Sequence, residues 1–192
     1  MEIKQFLDIM TIAERMKCNT RHSWTSSGRH ESVAEHSWRL CLMAYFIRDE
    51  FPGADMDKVL KMCLFHDIGE AFTGDIPAFL KSGSDEAVEN AETSRFLETL
   101  PLPYREELIP LFDEMNALQT PEARIYKALD KMEAIIQHNE ADTSTWLPLE
   151  YELNLTYGVP EAQFSPYLSA LRAELIRITK AKAPEYYAKD PS

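Results

Sequence analysis

The chain has 192 residues, 45% hydrophobic and 27% charged, enough apolar material for one ordinary core and too polar for a membrane bundle. A net charge of −12 excludes a nucleic-acid groove and an anionic membrane surface as partners, since both require clustered Lys and Arg; a small anion needs only a local cation or a metal ion. Cys18, Cys41 and Cys63 are odd in number and form no CxxC pair, which excludes a disulfide framework or thiolate zinc site and points to a reducing cytoplasm.

The first element starts at the N-terminus. "MEIKQFLDIM" lacks the basic start of a secretory signal, and Phe6, Ile9, Met10, Ala13 and Met16 recur at helical spacing, which predicts a helix over about 2–18. The polar stretch "NTRHSWTSSGRHE" is expected to be a long functional loop. Ser32 and Glu35 match a capping box, so a second helix should begin there, with Val33, His36, Leu40, Met43 and Ile47 inward. A third runs from about Asp57 with Val59, Met62, Cys63 and His66 on one face. If it continues, His66, Asp67 and Glu70 share a side, before Gly74 and Pro77 interrupt the pattern.

Further helices are expected from Ser84 to Leu100 and over 104–118. Another runs from the Thr120–Pro121 start to Ala141, with Ile125, Leu129, Met132 and Ile136 as its stripe and Asp130 beside it. A last helix follows Gly158 and Pro160, and its Tyr167, Leu171, Leu175 and Ile178 would serve a core or a dimer. With six glycines and few alternating β-branched runs, the reading is one all-α domain over 1–192.

His36, His66, Asp67 and Asp130 thus come from three helices, each on or next to a buried face. Two imidazoles and two carboxylates suit Mn²⁺, Co²⁺, Fe²⁺ or Mg²⁺, with Zn²⁺ or Ni²⁺ as alternatives. Each alone has a plainer explanation: a histidine on an apolar face is usually a satisfied core residue, and an aspartate on a helix usually meets water. The adjacent His66–Asp67 pair weighs against that explanation, because uncompensated burial of such groups costs several kcal/mol.

The segments "ESVAEHSWRL", "HDIGEAFTGDIP" and "ALDKMEA" resemble the HD-domain metal-dependent phosphohydrolases, and in detail their 5′-deoxynucleotidase branch. That branch carries R-x-E-[SN]-V-x-[ED]-H, here starting at Arg29, and HD-x-x-E-x-x-x-GD-[IL]-P. The likeness is strongest over 15–145. It implies a single HD-domain bundle of about seven or eight helices, completed by C-terminal helices over 148–183. By the resemblance His36, His66, Asp67 and Asp130 are metal ligands, Glu70 is the catalytic carboxylate and Asp75 contacts the sugar. Arg21, Arg29 and Trp24 are expected near the substrate, although the family's adjacent Arg-Trp pair is spaced here as "RHSW".

No histidine lies between Asp67 and Asp130, so one ion is expected rather than two; the later His138 should face solvent or a partner. The expected activity is hydrolysis of (deoxy)nucleoside 5′-monophosphates by a homodimer. The alternatives are an HD hydrolase of another small phosphate ester or nucleotide, and a non-catalytic metal-dependent sensor or scaffold, which would typically lack Glu70.

Overall fold

The computed structural model describes residues 1–188, which group into two compact units: Met1–His22 with His30–Tyr126, and Ser23–Arg29 with the chain from Lys127 onward. In chain order the elements are α1 (Ile3–Cys18), β1 (Thr20–Trp24), β2 (His30–Ser32), α2 (Val33–Phe46), α3 (Met56–Phe65), α4 (Glu70–Thr73), α5 (Gly83–Thr99) and α6 (Leu102–Ala117). Then come α7 (Pro121–Glu140), α8 (Glu150–Thr156), α9 (Val159–Ala162), α10 (Pro166–Lys182) and α11 (Pro184–Tyr187). Eight of the helices among the described residues have seven residues or more, so the chain is all-α in class with one small ribbon. No helix among the described residues is long and apolar enough to cross a membrane.

Capping chemistry sets the helix starts. Ser32 and Glu35 form the expected reciprocal box at α2, Asp55 caps α3, and Ser82 with Asp85 forms a second box at α5. At α7 the Thr120 hydroxyl accepts from the Ala123 amide at 3.2 Å. The first unit is built around Val33, Leu40 and Ala44 of α2 and Val59, Met62 and Cys63 of α3, all without solvent contact. Full burial of a side chain such as Leu40 or Met62 contributes about 1.5–3 kcal/mol.

In the second unit Leu129, Met132 and Leu168 are fully buried. So, nearly, is Arg172, whose Nε donates to Tyr157 O at 2.8 Å and Nη2 to Asn154 O at 2.7 Å, satisfying carbonyls where α8 ends. That buried cation explains why the stripe expected on the last helix is only partly right. The inward positions of α10 are Leu168, Arg172, Leu175 and Thr179, while Tyr167 and Ile178 are exposed.

Three further expectations change. The loop after α1 is a β-ribbon: Thr25 N donates to Arg29 O, Gly28 N donates to Thr25 O, and Gly28 takes φ +80° at the tip, a conformation that favours glycine. Helix α3 stops at Phe65 instead of running on to Glu70. Ile68 N bonds Phe65 O and Glu70 N bonds Asp67 O, the tighter i→i−3 pattern of a turn, and α4 ends at Gly74 with φ +78°. His138 is largely buried within the second unit, its Nε2 3.5 Å from Glu150 Oε1, and does not face solvent.

Candidate metal centre

The first turn of α2 carries His36, and the turn between α3 and α4 carries His66 and Asp67. His36 has no solvent exposure, and the His66 side chain is 2% exposed. Their Nε2 atoms lie 3.2 Å apart, and Asp67 Oδ2 is 3.0 Å from His66 Nε2 and 3.8 Å from His36 Nε2. One donor atom from each residue lies within 4.8 Å of the others, close enough to share an ion. His66 Nδ1 faces Cys63 O at 3.0 Å, which assigns the ring proton to Nδ1 and leaves the Nε2 lone pair in the cluster. Two nitrogens and a carboxylate oxygen, one imidazole oriented from behind by a carbonyl, fit a divalent ion of the Mn²⁺ to Zn²⁺ series.

Glu70 opens α4, one turn after the pair. It is 3% exposed, and its Oε2 has no hydrogen-bond partner. Burial pushes its carboxyl up to about 10; repulsion from Asp67 and Asp75 adds to the shift, and Arg21 opposes it. Asp75, just after the left-handed Gly74, is also raised, chiefly by burial and against the pull of Arg21. Arg21 of β1 is spread over three carboxylates: Glu31 at 3.4 Å, Asp67 at 3.5 Å and Asp75 at 3.9 Å. Arg39 of α2 reaches Glu31 from another side at 3.9 Å. The first unit therefore brings together His36, His66, Asp67, Glu70, Asp75 and Arg21 of the residues expected from sequence.

The others belong to the second unit. Asp130 is on α7, 15% exposed, with Lys127 Nζ 2.9 Å from its Oδ2. Trp24 O accepts from Gln137 Nε2, and Arg29 is exposed at the ribbon tip, its carbonyl closing the turn with Thr25. Sequence reading passes over Glu31, although it sits inside the "RHESV" motif; it is 2% exposed, with Arg21 at 3.4 Å and Arg39 at 3.9 Å. Sequence reading also passes over Lys81 and Glu89, whose Nζ and Oε2 are 2.5 Å apart, because "LKSGSD" reads as a turn and helix start.

The family described as HD domain matches residues 13–172. The 5′-deoxynucleotidase HDDC2 of Homo sapiens is 28% identical over 141 residues, covering 71% of this chain and 68% of that one. The 5′-deoxynucleotidase hdd1 of Schizosaccharomyces pombe is 30% identical over 145 residues, covering 71% of each. A crystal structure from Magnetospirillum magnetotacticum, described as a predicted metal-dependent phosphohydrolase, superposes with a TM-score of 0.79 at 24% identity over 94% of both chains, a likeness of fold.

Proposed function

The chain belongs to the HD-domain family, and from that premise we propose that it is a metal-dependent phosphomonoesterase that hydrolyses deoxynucleoside 5′-monophosphates to nucleoside and phosphate. The observation that carries the reading is Glu70: a buried carboxylate with an unpartnered oxygen, one turn beyond a triad of two imidazoles and a carboxylate. Burial without a partner costs stability, and a general base is a use that such a group can serve. The human and fission-yeast relatives, both named 5′-deoxynucleotidases, support the nucleotide as substrate.

His36, His66 and Asp67 would hold one ion, and the sequence pattern adds Asp130 to the ligand set. A divalent ion in such a set lowers the pKa of water, polarises a phosphoryl oxygen and favours the ionised form of a nearby carboxylate. Glu70 would accept the proton of the attacking water as its oxygen bonds to phosphorus, then return that proton to the departing 5′-oxygen. The P–O5′ bond breaks, and no covalent intermediate is needed. Asp75 would take a sugar hydroxyl. Arg21 fixes Asp67 and Asp75 relative to one another and offsets part of their charge.

Phosphate release from a panel of ribo- and deoxynucleotides, with Mn²⁺, Co²⁺, Mg²⁺ and Zn²⁺ tested separately, examines the reading. Deoxynucleoside 5′-monophosphates should be turned over, triphosphates poorly, and a chelator should stop the reaction. Equal turnover of ribonucleotides removes the deoxy preference. Absence of turnover on every nucleotide, with some other phosphate ester cleaved, replaces the substrate class.

A further inference from the structure

We propose that Lys81, held in reserve by Glu89, is the cation that receives the substrate phosphate at this centre. The inference rests on the phosphatase reading above and adds a residue to it. It starts from Gly69, between the His66–Asp67 pair and Glu70. A Cβ there would stand 2.3 Å from Thr93 Oγ1, 2.9 Å from Glu89 Cγ and 3.1 Å from Glu89 O. The missing side chain lets α5 lie directly on the metal-binding turn, with Glu89 at the contact. Glu89 Oε2 in turn holds Lys81 Nζ at 2.5 Å, and the two side chains are only 16% and 21% exposed.

The backbone of Lys81 is fixed as well. Its amide donates to Pro77 O at 3.0 Å, and the next residue, Ser82, caps α5. The ammonium is thus tethered, through Glu89, to the face of α5 that lies on the metal-binding turn at Gly69. Its charge is kept: burial alone would lower the Lys81 pKa, but the Glu89 bond and the charges of Glu89, Glu70 and Asp67 together raise it.

A cation here would add to the charge of the bound ion. A phosphate monoester dianion must approach Glu31, Asp67, Glu70 and Asp75. Arg21 is already committed to three of those carboxylates, and Arg39 to Glu31. Lys81 pairs with a carboxylate outside that set. A lysine carries a compact charge on a flexible stem, so its ammonium can turn from Glu89 toward a phosphoryl oxygen without moving the backbone. A plainer role, in which the pair only pins the 76–82 loop, predicts loss of stability with no effect on phosphate affinity.

The test is binding of inorganic phosphate to the metal-loaded full chain, read by ³¹P line broadening with Mn²⁺, alongside metal content and thermal stability. Lys81→Met should weaken phosphate binding by about tenfold or more, the scale of one charge-assisted hydrogen bond, with metal content unchanged. Lys81→Arg should recover most of it. Lys61→Met, which removes a lysine paired with Glu107, should bind phosphate as the wild type does. Wild-type affinity in Lys81→Met, or an equal loss in Lys61→Met, overturns the assignment, as does a metal-loaded wild type that binds no phosphate. Lys81-dependent phosphate binding in a protein that hydrolyses no nucleotide would sustain Lys81 and refute the nucleotidase reading.

Discussion

Glu70→Gln should make the metal-free protein more stable at alkaline pH while disabling catalysis. Burial, with Asp67 and Asp75 nearby, raises the Glu70 carboxyl from 4.5 to about 10 in the fold. Between those values the folded chain holds a proton that the unfolded chain has released. Stability therefore falls as pH rises through the window, by about 1.4 kcal/mol per pH unit for one proton. From about pH 6 to pH 8 the cost is ~3 kcal/mol, and it requires only that the folded value exceed 8 and the unfolded value lie below 6. Glutamine has the shape of the protonated acid and does not titrate. Asp75 is raised in the same direction, but it is present in both proteins and cancels in the comparison.

Thermal melts of chelator-stripped wild type and Glu70→Gln at pH 6, 7 and 8 measure this difference directly. The variant should gain on the wild type by roughly 5–10 °C in Tm across that range, at about 2–4 °C per kcal/mol for a chain of this size. Restoring a divalent ion should shrink the gap, because its charge favours ionised Glu70. Parallel Tm profiles for the two stripped proteins would show that Glu70 is already ionised in the fold, and the argument from its burial would fail. In the metal-loaded variant, turnover should drop by ~10²–10⁴ with the ion retained.

Gly69→Ala should destabilise the fold by roughly 1–3 kcal/mol, since the new methyl meets both Thr93 and the Glu89 backbone; calorimetry showing no loss would mean that α5 can move away from the turn. His66→Ala and Asp67→Ala should each lose bound metal, activity and the metal-dependent rise in Tm together, by linkage; elemental analysis finding one ion per chain and normal turnover in either variant would rule out the ligand assignment. Asp75→Asn should slow nucleotide hydrolysis far more than hydrolysis of an aryl phosphate, which has no sugar to hold; equal losses would assign Asp75 to supporting the loop.

The helix content and most helix starts were legible because they rest on local chemistry. Ser32 with Glu35, and Thr120 with Pro121, announce helices from a few adjacent residues, and the structure places both starts there. The ribbon after α1 is not legible because Thr20–Trp24 and His30–Ser32 are short, polar and stabilised by each other rather than by their own sequences. Apolar residues alone mark the wrong stripe on α10, because Arg172 is buried there with distant backbone carbonyls accepting its N–H groups. In the site, His36, His66, Asp67 and Glu70 are marked by type and spacing. Glu31, Lys81 and Glu89 look like ordinary surface charges until the fold shows what they face.

The metal-binding pair sits where the helical hydrogen bonds tighten after Phe65. Successive residues point about 100° apart on an α-helix and about 120° apart in a 3₁₀ turn, so adjacent His and Asp side chains meet at one point only through their own reach. Helical metal motifs accordingly space their ligands four residues apart. Here the backbone stays near-helical at His66 and Gly69 while its hydrogen bonds shorten to i→i−3, and the two side chains bend back so that His66 Nε2 and Asp67 Oδ2 lie 3.0 Å apart. The same turn restarts a helix at Glu70, so the proposed base begins a new element instead of continuing the old one. A glycine at 69 lets α5 cover this turn closely, which buries Glu70 and brings Glu89 and Lys81 alongside. The sequence "HDIGE" thus tightens the periodicity from about 3.6 towards 3.0 residues per turn, and a reading that prolongs the α-helix through it names the right residues with the wrong spacing.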